Sequence, residues 1–256
     1  MPAPENRFKA ALARGDTLYG CWAGFADPYA TEILATAGFD WLVIDGEHAP
    51  NDLRTIMAQL QVLKGEASHP VVRLPMGEVW AIKQVLDAGA QTLLIPLVES
   101  ADQARALVRA MRYPPQGIRG SGAALARASR FSAIPDYIAT ANAQMCLLVQ
   151  VETRAGIDAL DDILSVEGVD GVFIGPSDLA ADIGHPGDST AAEVQEVIRD
   201  ALGRIAASDK AAGILATDDA TAQTYRAWGA EFLAVGIDVV MLAQAARATA
   251  ARWRDG

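Results

Sequence analysis

The chain has 256 residues, 51% of them hydrophobic and 21% charged, with a formal net charge of -11. That apolar share excludes intrinsic disorder, and two cysteines, Cys21 and Cys146, are too few for a disulfide scaffold. So acidic a chain repels phosphate backbones, which argues against nucleic acid as a partner. No run approaches the roughly 20 apolar residues of a membrane span. Met1 to Arg14 lacks the basic start and apolar core of a signal peptide. The expected setting is therefore cytoplasmic, with reduced thiols.

One unit recurs along the chain: a short apolar run, a polar turn, then an amphipathic stretch. The apolar runs are Leu18 to Trp22, Trp41 to Ile44, Val71 to Leu74, Thr92 to Leu97, Cys146 to Val151, Gly171 to Ile174, Gly213 to Ala216 and Phe232 to Val235. Each is bounded by Gly, Pro or Asp, as buried parallel strands are. Helical spacing of apolar residues follows most of them, for example Ile56, Leu60 and Leu63, or Val194, Ile198, Leu202 and Ile205. Gly38, Gly89, Gly168 and Gly229 stand where helices would end in a left-handed cap. Alternation of this kind predicts a parallel sheet. About eight units in a chain of this length predict a (β/α)8 TIM barrel, one domain over 1–256. An open doubly wound sheet is the rival, but Ala23-Gly24-Phe25-Ala26-Asp27 after the first strand lacks its glycine fingerprint. The longest insertion, Arg112 to Asp136, carries Arg119, Arg127 and Arg130.

Barrel enzymes place their chemistry at the C-terminal ends of strands. There the sequence offers Asp45-Gly46-Glu47-His48, Arg73, Gln150 and Glu152, Gly175-Pro176-Ser177-Asp178, and Asp238. Glu152 and Asp178 stand at consecutive strand ends, and two carboxylates without a soft ligand suit a hard divalent cation. Taken singly, Asp178 serves equally well as a helix cap and Glu152 as a solvated first-turn residue. His48 is the histidine on the catalytic face, suited to proton transfer, to ligation or to a loop hydrogen bond. Arg73 needs an anionic partner, either Asp45 or Glu47 or a substrate oxyanion. Trp22 is as much a pocket wall as ordinary packing. Lys9, Lys64, Lys83 and Lys210 all lie away from the strand ends, which disfavours Schiff-base chemistry and favours metal-assisted carbonyl activation.

Several motifs in one order resemble the HpcH/HpaI aldolase/citrate lyase family, and within it the class II pyruvate aldolases of the 4-hydroxy-2-oxoheptanedioate type. They are Asp45-Gly46-Glu47-His48-Ala49-Pro50, Val72-Arg73-Leu74-Pro75, Ile82 to Ala90, Tyr113 to Gly120, Gln150-Val151-Glu152-Thr153 and Phe173 to Leu179. The resemblance implies reversible cleavage of 4-hydroxy-2-oxo acids to pyruvate (or hydroxypyruvate) and an aldehyde. It implies Glu152 and Asp178 as ligands of Mg²⁺, Mn²⁺ or Co²⁺, and Gln150, Ser177, Asp178 and Arg73 as substrate contacts. It further implies His48 as the base, Arg73 as the enolate stabiliser and Asp87 as the acid that raises the basicity of His48. Ser177 stands where the family often has alanine. Asp87 falls late in the third helical pattern, where a simple barrel would hold it away from the mouth. The resemblance also implies a homo-hexamer, a trimer of dimers, with a C-terminal helix exchanged between subunits. Two other readings remain at this point. One is a CoA-thioester lyase of the same superfamily, with Arg119, Arg127 and Arg130 as a phosphate track. The other is a non-catalytic metabolite-binding barrel.

Overall fold

A computed structural model describes residues 1–254. Its eight strands are β1 (Leu18–Ala23), β2 (Trp41–Asp45), β3 (His69–Arg73), β4 (Thr92–Ile95), β5 (Cys146–Val151), β6 (Gly171–Ile174), β7 (Ala211–Leu215) and β8 (Phe232–Ile237). Every strand pairs parallel with its sequence neighbours, and β8 returns to β1, so the barrel is closed. Around it lie α1 (Arg7–Leu12), α2 (Pro28–Ala35), α3 (Leu53–Val62), α4 (Val79–Ala88), α5 (Ala101–Met111) and α6 (Tyr137–Ala141). The remaining helices are α7 (Arg154–Asp158), α8 (Leu160–Leu164), α9 (Pro176–Asp182), α10 (Ala192–Ala206), α11 (Asp219–Ala227) and α12 (Asp238–Arg254). The expected (β/α)8 architecture is therefore the observed one. No described helix is long and apolar enough to cross a membrane.

Two helical readings differ in detail. The stretch with Ile157, Leu160 and Leu164 is one helix by its spacing but breaks at Ala159 into α7 and α8. The turn α1, before the first strand, is too short to show a period. It starts at the cap Asn6, whose side chain accepts from Lys9 N–H. Gly89 ends α4 at φ 112°, a left-handed cap that a side chain would strain.

Strand parity divides the buried residues. Leu42, Ile44, Val72, Leu93, Val149 and Ile174 face the helices. Trp41, Val43, Val71, Leu94, Leu148, Phe173 and Phe232 fill the barrel, with Phe8 and Leu12 of α1 pressed in from the N-terminal end. Glycine makes room for the largest of these. A Cβ on Gly20 would collide with the Trp41 ring, and one on Gly213 with Phe232. The same inward parity runs on from Trp41 and Val43 to Asp45, from Val71 to Arg73, and from Cys146 and Leu148 to Gln150 and Glu152. Apolar packing below thus aims the polar residues above.

Candidate active site

The C-terminal mouth opens into a cavity of about 480 Å³. Its polar side carries Asp45, His48, Arg73, Gln150, Ser177 and Asp178. Its apolar side is Trp22, Phe173, Leu215, Ile237 and Val239.

Arg73 is the most constrained of these residues. Register makes it the direct cross-strand partner of Asp45. Its Nε donates to Asp45 Oδ1 at 2.8 Å and its Nη2 to Oδ2 at 2.7 Å, a bidentate fork. Nη1 lies 2.7 Å from Oε2 of Glu47. The Trp22 ring sits beneath the guanidinium, 5.1 Å from Cζ to the ring centre. Both carboxylates expected for Arg73 are thus used, and Trp22 is packing and pocket wall together. Burial pushes the Asp45 carboxyl up, but the two bonds and the charge of Arg73 outweigh it and hold the group below its ordinary range. Glu47 goes the other way: burial raises it, and the attraction of Arg73 and His48 offsets only part.

The second polar group rises from β5. Gln150 and Glu152 are both 2% exposed. Glu152 Oε1 accepts from Leu97 N–H at 2.9 Å, and Oε2 accepts from Gln150 Nε2. Burial, aided by the charges of Asp178 and Glu47, pushes the Glu152 carboxyl up to about 7, although the bonds from Gln150 and Leu97 act against it. Glu152 is therefore no solvated turn residue. Gly175 lies so close that a Cβ there would strike Glu152 Oε2. Asp178 stands in the first turn of α9 without capping it, and faces the cavity. Ser177, beside it, also lines the cavity.

These residues suit a hard divalent cation. Glu152 is a buried carboxylate whose charge nothing on its own strand neutralises. Beside it Gln150 Oε1 is buried without a hydrogen-bond partner. Asp178 adds a second carboxylate, and the donor set is oxygen throughout. Among the described residues no group of three or more His, Cys, Asp or Glu side chains forms a metal cluster. The protein would therefore supply two carboxylates and leave positions open for water and substrate.

His48 sits at the rim, its side chain 68% exposed, with Nε2 3.9 Å from Glu47 Oε2. Its backbone N–H donates to Asp45 Oδ1 at 3.4 Å. Asp87 lies elsewhere. It is near the end of α4, and its Oδ1 accepts from Nη2 of Arg119 at 2.7 Å. Within the chain its partner is this arginine, which is fully buried and stacked 4.4 Å from the Tyr113 ring centre. Asp87 does not line the cavity.

The insertion arginines are also largely committed. Arg119 is spent on Asp87, and Arg127 donates to the carbonyls of Ala88 and Leu60 at 2.8 and 3.1 Å. Neither is free to track CoA phosphates, so of the three arginines on which that alternative drew the exposed Arg130 remains.

One contributor was not singled out from the sequence, and a second was named there only as a strand-end residue without a role. Leu97, at φ 55°, offers its N–H to Glu152, and no residue pattern marks it. Asp238 is buried at the start of α12 and accepts from Gly24 N–H at 2.8 Å and Phe25 N–H at 3.3 Å, tying the β1–α2 loop to the last helix. Its place after β8 was the available signal.

The sequence model of the HpcH/HpaI aldolase/citrate lyase family matches residues 18–245. The chain belongs to that family. A relative from Roseovarius nubinhibens, named hydroxypyruvate/pyruvate aldolase, is 79% identical over 99% of both chains. One from Escherichia coli, named 4-hydroxy-2-oxo-heptane-1,7-dioate aldolase, is 55% identical over 97% of this chain and 95% of its own. Both names are those of aldolases, which are carbon–carbon lyases. A crystal structure of a family member from Burkholderia cenocepacia superimposes with a TM-score of 0.94 at 41% identity, covering 97% of this chain and 99% of the other.

Proposed function

We propose that this chain is a divalent-metal-dependent aldolase that reversibly cleaves 4-hydroxy-2-oxo acids to pyruvate, or hydroxypyruvate, and an aldehyde. The carrying observation is one cavity lined by Gln150, Asp178, a clamped Arg73 and an exposed His48, with buried Glu152 hydrogen-bonded to Gln150 behind its wall. The names of the relatives favour pyruvate and hydroxypyruvate as the donor. Glu152 and Asp178 would hold the cation, with Mg²⁺, Mn²⁺ and Co²⁺ all suited to oxygen ligands. When bound, the cation supplies Lewis-acid polarisation of the 2-oxo group.

The residues do the rest. Gln150 and Ser177 orient the 2-oxo acid. His48 at the rim takes the proton from the 4-hydroxyl. The C3–C4 bond then breaks, the aldehyde leaves, and the bonding pair becomes the enolate. Arg73 has N–H hydrogens beyond those used by Asp45 and Glu47, and these stabilise the developing enolate oxygen. A proton returned to C3 yields the 2-oxo acid. Because His48 is solvent-exposed, it can exchange its proton with water between turnovers.

Pyruvate release from assorted 4-hydroxy-2-oxo acids, and the reverse condensation with assorted aldehydes, test the reading. Activity should vanish on chelation and return with Mg²⁺, Mn²⁺ or Co²⁺. Full turnover after exhaustive chelation would overturn it. The hexamer, the exchanged C-terminal helix and a cytoplasmic setting belong to the same proposal, and sedimentation velocity reads the first. The role proposed for Asp87 needs it to meet His48, which within one chain its bond to Arg119 does not provide.

A further inference from the structure

The ends of β8, β1 and β2 wall the mouth on the side across the barrel from β5. Gly24 after β1, Ile237 and Val239 at the end of β8, and His48 after β2 line the cavity there. The shape of this wall depends on Asp238. On β8 one residue, Val235, is extra against β1: Gly20 pairs with Ala234, but Cys21 pairs with Gly236. Trp22 then pairs with Ile237, and the shifted register brings Asp238 up beside the first residues of the β1–α2 loop.

There the carboxylate is buried, 6% exposed, and is answered by main-chain donors. It accepts from Gly24 N–H at 2.8 Å, Phe25 N–H at 3.3 Å and Val239 N–H at 2.7 Å. A Cβ on Gly24 would lie 3.3 Å from Asp238 Oδ1 and 3.7 Å from the Val239 methyls, so the loop rests directly on the start of α12. The next residue but one, Ala26, stands at φ 56°, in the left-handed region that a Cβ disfavours. Backbone of this kind persists where its surroundings over-determine it. Asp238 holds the loop on one side of Ala26. Asp27 holds it on the other, capping α2 by accepting from Tyr29 and Ala30 N–H at 2.9 and 3.0 Å.

We propose that Asp238 is a positioning residue for the aldehyde: its carboxylate holds the β1–α2 loop in the strained shape that forms the acceptor side of the cavity. The proposal rests on the aldolase reading for what the cavity holds. A 2-oxo acid bound by Gln150, Ser177 and Asp178 lies against the ends of β5 and β6. The aldehyde carbon meets C3 on the side away from those strands, with its oxygen toward His48. The rest of the aldehyde then runs along Gly24, Ile237 and Val239.

The test divides the reaction into halves. Exchange of the pyruvate C3 protons in D₂O, followed by NMR with the Mg²⁺-saturated enzyme, uses the donor side alone. Condensation of pyruvate with propanal uses both sides. Asp238→Ala removes every acceptor from the loop. Asp238→Asn keeps the shape and leaves one oxygen where the carboxylate has two. D238A should raise the KM for propanal about tenfold, with the KM for pyruvate and the C3 exchange rate within about twofold of the parent. D238N should move the propanal KM the same way by about threefold. Amide hydrogen exchange, read on peptides covering residues 20–30 without substrate, should quicken about tenfold in D238A, while peptides from β5 stay unchanged. If D238A fails to fold, D238N carries the same comparison. An unmoved propanal KM in the folded variants overturns the proposal. So does a loss of C3 exchange as large as the loss of condensation, because a merely structural role would lower both together. A parent that neither exchanges C3 protons nor condenses pyruvate sinks the aldolase reading instead. The loop amides then decide the clamp alone: quickened exchange keeps it, and unchanged exchange removes it.

Discussion

The two ends of the barrel use the same strands for opposite purposes. At the N-terminal end the buried polar side chains Asn6 and Thr92, with His69 beside them, answer one another. Asn6, 1% exposed, donates to Thr92 Oγ1 and Gln144 O at 3.0 Å each, and caps α1 through Lys9 N–H. His69 Nε2 shares Thr92 Oγ1 at 2.9 Å, and Lys9 bridges Met145 O at 2.6 Å and Asp170 at 3.0 Å. Phe8 closes the floor against Trp41, His69 and Phe232, with ring centres 5.8, 5.5 and 6.0 Å away. At the C-terminal end Gln150 Oε1 is buried without a hydrogen-bond partner, and Glu47 Oε2 is buried with the charge of Arg73 Nη1 2.7 Å away. The floor is built for stability. The mouth carries a group that stays unsatisfied until something binds, which is how a catalytic site stores cost.

Glu152→Gln breaks this contrast most sharply. Loss of the carboxylate should lower kcat/KM by about 10³-fold or more, on the order of 4 kcal/mol of transition-state stabilisation. In chelator, however, the variant should melt no lower than the parent, because a neutral amide avoids the burial cost that raises this carboxyl. A kinetic assay with paired calorimetry reads both. A marked drop in melting temperature together with retained activity would reverse the roles assigned to the two ends.

Phe8→Ala is the mirror experiment. Emptying the floor should cost about 3–5 kcal/mol, read as a shifted urea midpoint, while kcat per folded molecule stays close to that of the parent. A large kcat loss at unchanged stability would mean that the floor and the mouth are coupled.

The floor also carries a pH signature. Burial pushes His69 down to about 4 from 6.5. The unfolded chain therefore binds this proton first as pH falls. The contribution of neutral His69 is complete above pH 6.5 and is lost as pH falls toward 4, about 3 kcal/mol in all. Carboxylates titrate in the same window, so the measurement is the difference between parent and His69→Gln in urea midpoints at pH 7.5 and pH 4.5. The parent should lose more stability than the variant by about that amount. Equal losses would place the imidazole in contact with water.

How much of this was legible in the chain follows the same division. Short apolar runs with polar ends announce a parallel sheet buried on both faces, and about eight such units without a glycine fingerprint point to closure. The mouth residues were legible as strand ends: Arg73, Gln150, Glu152, Ser177 and Asp178 all reach one cavity or its wall. Strand parity, which the strand-end reading did not use, carries more than position alone. Trp41 and Val43 fill the barrel, so Asp45, two residues on, must face inward too, which marks it as the partner of Arg73. What the pattern hides is tertiary. Leu97 acts through a main-chain N–H, which leaves no trace in residue type. Asp87 carries a family motif, yet its neighbour in the chain is set by how the insertion folds Arg119 back onto α4. The six residues of α1 are too few to show a helical period, so the floor was the least visible part of the fold.

Asn6→Ala probes that floor with the smallest effect. The side chain does two things: its oxygen caps α1, and its amide answers Thr92 and Gln144. The cap is worth about 1 kcal/mol. The buried donor bonds add about as much, since Thr92 Oγ1 keeps His69 as a partner and only Gln144 O loses one. The expected cost is therefore about 2 kcal/mol, less than for Phe8→Ala. Asn6→Asp separates the parts. The carboxylate still accepts from Lys9 N–H and so keeps the cap, but it cannot donate, and it sets an acceptor against Gln144 O. It should destabilise more than alanine does, despite being the better cap. If aspartate instead proves the milder change, the cap outweighs the buried amide, and α1 is held by its own first turn rather than by the barrel floor.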